Sequence, residues 1–114
     1  MKVNQFEEII AWKKARELTK SIYRIFHSSR DYAFRDQIQR ATISIMNNIA
    51  EGFERRGDKE FKQFLFIAKG SCGEVRSMCY VAYDLKYITT SEFQLLSEST
   101  IEISKILSGF IKTL

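Results

Sequence analysis

Between Phe61 and Ala82 a core-type residue recurs at alternating steps of four and three: Phe61, Leu65, Ala68, Cys72, Val75, Cys79 and Ala82. That alternation holds one stripe on one side of an α-helix and is out of phase with the two-residue period of a strand. No proline interrupts it anywhere, because the chain has none. A single helix gains little stability in water by itself, so the remaining sequence must supply partners that bury the stripe.

Three further stripes are present. The first is Ala11, Ala15, Leu18, Ile22 and Ile25, flanked by Phe6, Trp12 and Phe26. Its helix is expected to open at Asn4, which with Glu7 has the spacing of a capping pair. The second, Phe34, Ile38, Ala41, Ile45 and Ile49, belongs to a helix from about Asp31 to Gly52, with Gly52 placed as a left-handed C-terminal cap. The third helix runs from about Asp58 to Tyr87. The fourth opens on Thr89 and Glu92 as a capping box, with Ile88 and Phe93 as its hydrophobic staple. Its stripe is Phe93, Leu96, Thr100, Ile103, Leu107, Phe110 and Leu114.

Turn signals lie only at "HSSRD", "EGFERRGD" and "KYITTS", so the connections are short. Helices joined in this way pack side by side and antiparallel. The expected fold is all-α, an antiparallel up-down-up-down four-helix bundle in one domain over residues 1–114.

The apolar residues exceed what one such bundle needs. Beside its main stripe the third helix carries Phe64, Ile67, Met78, Val81 and Leu85, and the second adds Ile43, Met46 and Ala50. A tight bundle would bury them internally; otherwise another copy of the chain covers them. Self-association is the favoured expectation, since large apolar patches are uncommon on monomers.

No apolar run approaches the ~20 residues that span a bilayer. Met1 to Glu8 lacks the apolar stretch and cleavage site of a secretory signal. A cytoplasmic location and no membrane partner are expected. Cys72 and Cys79 are seven residues apart, a rise of ~10 Å on one helix, too far for a disulfide. They read as small buried apolar residues.

Chemistry is hard to find. His27 is the only histidine, so the paired Glu-x-x-His ligands of a di-iron bundle are missing. No nucleophile, base and orienting acid share a local motif, and "KGSCGE" is not a phosphate loop. No enzyme activity, metal or cofactor is expected. Gly70, Ser71 and Gly73 read instead as a place where another helix approaches closely.

One polar stretch stands out, "NNIAEGFERR" at residues 47–56. At 100° per residue, Arg40, Ser44, Asn47, Asn48, Glu51 and Arg55 fall on one ridge of the second helix. That ridge is either an ordinary solvated face or a polar seam, in which Asn48 and Glu51 bond across to Ser71 or to Glu74 partners such as Arg76.

The segments "FEEIIAWKKARELTKSIY", "QIQRATISIMNNIAEGFERRGDKEFKQFLFIAKGSCGEV" and "AYDLKYI" resemble the small four-helix-bundle proteins encoded within intervening sequences of bacterial 23S ribosomal RNA genes. The resemblance covers nearly the whole chain and centres on "NIAEG", Arg56 and the pattern EFxxFLxIAxGSxxE. It implies an antiparallel bundle assembled into a ring-shaped homopentamer. The accessory proteins of diversity-generating retroelements resemble the same scaffold and bind nucleic acid with a reverse transcriptase. Two departures are visible: Gln39 and Arg40 stand where the family often has two arginines, and Met46 where it has a proline. The first removes a phosphate contact, and the second restores a backbone donor to the second helix.

Two functions follow. The first is a non-enzymatic homo-oligomeric scaffold that binds RNA or a ribosomal or ribonucleoprotein partner. Its support is a net charge of +4, with Arg55, Arg56, Lys59 and Lys62 gathered at the second connection, and Arg40 on the ridge of the second helix is a further candidate contact. The alternative is a protein–protein interaction module without nucleic-acid binding, whose charge serves solubility.

Overall fold

The computed structural model describes residues 3–114 and places a helix under each stripe: α1 Ile10–Phe26, α2 Tyr32–Phe53, α3 Asp58–Asp84 and α4 Thr90–Lys112. The molecule measures 43 × 22 × 19 Å, so its long dimension is close to the length of α3. Each helix packs on its neighbours in sequence, and α1 closes the bundle against α4.

Pairs of side chains show the antiparallel order. Thr19 of α1 meets Thr42 and Met46 of α2. Gln37 and Ser44 of α2 meet Glu74 and Ser71 of α3. On α3 and α4, Phe61 stacks edge-on against Phe110 while Tyr80 stacks against Phe93. The order reverses from one helix to the next: Gln37 precedes Ser44 whereas Glu74 follows Ser71, and Phe61 precedes Tyr80 whereas Phe110 follows Phe93. Phe26 at the end of α1 meets Phe34 near the start of α2. The chain is the expected up-down-up-down four-helix bundle.

The core is built from the predicted stripes with small changes. All seven stripe residues of α3 are buried, as are Ile38, Ala41, Ile45 and Ile49 of α2. At the end of α1 the buried residue is Phe26, and Ile25 is half-buried. Both follow Ile22 by a helical step, and Phe26 wins because its ring packs on Phe34, with centroids 5.8 Å apart. Phe34, Phe93, Phe110 and Leu114 are half-buried at the bundle ends, where Ile111 takes a core place instead.

The N-terminus departs from expectation. Residues Phe6–Glu8 form one 3-10 turn, Ile9 is extended, and α1 starts at Ile10 without a side-chain cap. Asn4 and Glu7 do not form a capping box; the Asn4 amide instead meets Glu8 Oε1 at 3.4 Å. Burial explains the break: Ile9 turns into the core, and Phe6 packs edge-on against Trp12.

Gly52 is not a left-handed cap. The helix continues to Phe53, and no glycine among the described residues has a positive φ. Gly52 is buried where α3 crosses α2, and an added Cβ would lie 2.5 Å from Phe64 Cβ. The close approach expected at Gly70 and Gly73 is absent, since a Cβ at either would meet nothing within 4 Å.

The other helix ends have identifiable stops. Asp31 caps α2 by accepting from the Phe34 amide at 3.2 Å. Thr89 and Glu92 form the expected capping box on α4. After α3, Lys86 takes a left-handed conformation with φ 62°. The Tyr87 amide then bonds to Ala82 O and the Lys86 amide to Tyr83 O, so the last carbonyls of the helix are satisfied.

Candidate nucleic-acid and assembly surfaces

The polar ridge of α2 does become a seam with α3, but over a shorter span than expected. Asn48 Nδ2 donates to Ser44 O at 2.8 Å and Ser44 Oγ at 2.9 Å, and Ser44 Oγ meets Ser71 Oγ at 2.9 Å. Asn48 therefore reaches Ser71 through Ser44. Glu51 does not cross to α3: it pairs with Arg55, in the turn after α2, at 2.7 Å. Glu74 takes Gln37 Nε2 at 3.2 Å, not Arg76. The ridge leaves the seam because Glu51 is exposed to solvent, while its neighbour Gly52 is the residue that meets α3. The Arg55 guanidinium lies over the Phe64 ring of α3, 4.9 Å from its centroid.

The cations at the second connection are dispersed. Arg56 and Lys59 are exposed and Lys62 is half-buried, while Arg40 sits on the other half of α2 beside Gln37, Ser44 and Glu74. Among the described residues the ion pairs are Lys14–Glu102, Lys20–Glu17, Arg35–Asp36 and Arg55–Glu51. Arg40, Arg56, Lys59 and Lys62 thus have no carboxylate at ion-pair distance. Glu54, Asp58 and Glu60 are exposed around the same turn and weaken its field.

The surplus apolar residues divide into two kinds. Phe64 and Met78 are half-buried, with Ser71 between them on the α2 side of α3. Ile67 and Leu85 are 52% exposed and Val81 44%, so the bundle leaves them in water. A second apolar surface lies between the start of α1 and the end of α4. It is a groove of ≈ 430 Å³ lined by Ile10, Ala11, Ile106, Gly109 and Phe110 among others. Ile10 is 59% exposed.

A further groove, of ≈ 370 Å³, runs between α3 and α4. Lys69 and Arg76 line it from α3, Thr100 and Ser104 from α4, and Gly70 and Gly73 leave its α3 edge open. Sequence reading had not singled it out as a site. Its two walls come from helices about thirty residues apart, and only their packing brings cations and hydroxyls together.

The thiols carry no chemistry. Cys72 and Cys79 are both buried and free, and burial pushes their pKa values up to about 12 and about 11. They are protonated packing residues.

The family described as 23S rRNA-intervening sequence protein matches residues 7–109. The chain belongs to that family. No curated protein matches it. A crystal structure of a protein of unknown function from the S23 ribosomal protein family of Bacteroides thetaiotaomicron is similar in fold, with a TM-score of 0.84 at 24% identity. The match covers 90% of this chain and 99% of that one. Among the described residues of this family member, no helix is long and apolar enough to cross a membrane.

Proposed function

We propose that the chain is a non-enzymatic subunit of a homo-oligomeric helical-bundle scaffold that holds RNA or a ribonucleoprotein partner on its basic surface. One observation carries the assembly: two unlike apolar surfaces are left uncovered on different sides of the bundle. One is Ile67 and Val81 on α3 with Leu85 just after it; the other is the groove by Ile10, Ile106 and Gly109. Two different surfaces that meet make a head-to-tail contact, and a head-to-tail contact with the right rotation closes into a ring. The family resemblance supports a ring of five.

Sedimentation of the wild type and of two charge variants tests this. Ile67→Glu and Ile10→Glu each remove one surface while leaving the core untouched, so each alone is expected to be monomeric. Mixed, they retain one intact contact per pair and form a species of two chains that grows no further. A wild-type protein that stays a lone chain at micromolar concentration would overturn the assembly.

The RNA half of the reading is supported by unpaired cations on a chain of net charge +4, whose field a ring of copies would multiply. Nuclease-treated protein should retain structured RNA at low ionic strength and release it as salt rises. Failure to retain it, or retention indifferent to salt, favours the protein-interaction module.

A further inference from the structure

We propose that the groove between α3 and α4 is a binding site for single-stranded nucleic acid, with Lys69 and Arg76 on the phosphates and Phe66 and Tyr80 stacking bases at its two ends. This rests on the RNA half of the proposed function and moves the main contact away from the α2–α3 turn.

The first support is charge. Lys69 and Arg76 are seven residues apart on one ridge of α3, ~10 Å along the axis. Neither has an acidic residue three or four positions away, and neither has an ion-pair partner among the described residues. The α4 residues that face them are Thr100 and Ser104, hydroxyls that can donate to phosphate oxygens. Ser97 lies one heptad before Ser104 on the same side of α4, and its Oγ is buried with no hydrogen-bond partner. By contrast, the turn mixes its cations with Glu54, Asp58 and Glu60.

The second support is the placement of aromatic rings. Phe66 and Gly73 line the groove, and Tyr80 follows Gly73 by one further seven-residue step, just beyond the lining residues. Phe66 is 54% and Tyr80 56% exposed, and Tyr80 is held edge-on against Phe93 with centroids 5.0 Å apart. Rings at the two ends with cations between them are the pattern that binds single strands, where unstacked bases are available. Gly73, with open space where a Cβ would be, lets a sugar-phosphate chain lie close to the helix. A duplex is too wide to enter a groove between two packed helices. Ile67 and Val81 share a ridge with Glu74, which faces Gln37 of α2, so assembly through them leaves this groove open.

The test is anisotropy of a short fluorescein-labelled single-stranded RNA of mixed sequence, and of the same strand annealed to its complement, titrated with full-length protein at several salt concentrations. Lys69→Gln with Arg76→Gln is expected to weaken single-strand binding about tenfold or more and to flatten the log–log salt slope by ~1.4, two cations at ~0.7 each. Tyr80→Ala should weaken binding without changing the slope. Arg56→Gln with Lys59→Gln should stay within about twofold of wild type. The charge-conserving pair Lys69→Arg and Arg76→Lys should keep most of the affinity; a loss equal to that of the glutamine pair would make the groove's role packing and overturn the proposal. Normal binding by the glutamine pair, with loss in the turn variant, places RNA on the turn: the inference falls and the RNA reading stands. Tighter binding of the duplex also overturns the groove assignment. If the wild type binds neither probe at low salt, the RNA reading itself falls, and the inference with it.

Discussion

Gly52 of α2 lies against Phe64 of α3 so closely that a methyl group on residue 52 would overlap it, at 2.5 Å from Phe64 Cβ and 3.0 Å from Phe61 Cδ1. Because the obstructing atom is a Cβ, the neighbour cannot swing away without moving the α3 backbone. Gly52→Ala is therefore expected to lower the urea unfolding free energy by ~1–3 kcal/mol. Gly73→Ala, with open space around it, should raise stability by ~1 kcal/mol, the ordinary helix-interior gain of alanine over glycine. Equal effects at the two sites would contradict this packing.

Lys86 holds a left-handed backbone conformation so that the end of α3 can satisfy its carbonyls. A side chain there costs about 1 kcal/mol that glycine avoids. Lys86→Gly should accordingly raise the thermal midpoint, whereas Lys86→Val, branched at Cβ, should lower it.

Asp31 joins two connections at one end of the bundle. Its Oδ1 caps α2, and its Oδ2 accepts from Tyr87 OH at 2.7 Å. That hydrogen bond, with lesser effects of desolvation and the nearby carboxylate charge, raises the Tyr87 pKa. Asp31→Ala loses the cap as well, at a cost of ~1 kcal/mol or more. Tyr87→Phe, which loses only the bridge, should cost less in the same denaturation series. In spectrophotometric titration of the folded protein, Asp31→Ala should bring the Tyr87 phenol back toward its ordinary pKa.

The two buried thiols predict an alkaline limit. In the unfolded chain they ionise near 9.0, but the fold holds them protonated until about 12 and about 11. The unfolded state therefore releases protons first as pH rises, and stability falls through that window while remaining flat below it. Cys72→Ala with Cys79→Ala should make this slope shallower in urea midpoints measured across alkaline pH, leaving the part due to Tyr87. In the native protein at neutral pH, both thiols should resist a thiol reagent that labels them readily once unfolded.

Much of the fold was legible because its signals are local. The α3 stripe, the Thr89–Glu92 box and the Asp31 start each depend on residues within one or two turns of each other, and each appears where expected. The N-terminus was misread for the opposite reason. Asn4 and Glu7 have capping spacing, yet burying Ile9 and packing Phe6 on Trp12 broke the helix before it could use them.

The candidate surfaces were less legible than the core. Arg55 belongs in sequence to the polar ridge and the basic cluster, and the structure pairs it with Glu51 four residues before it and lays it over the Phe64 ring. Arg76 reads in sequence as a partner of Glu74, and it shares a setting with Lys69 only when α4 brings Thr100 and Ser104 alongside.

By itself, then, the order of residues determined where helices form, where most of them stop and which stripe of each turns inward, since all of these follow from contacts three and four positions apart. Tertiary structure decided which ridges confront one another, which glycine is crowded and which is open, and which apolar side chains are left in water. Those outcomes depend on the rotation and offset of separate helices, which are set by the packing of the whole core and not by any one segment.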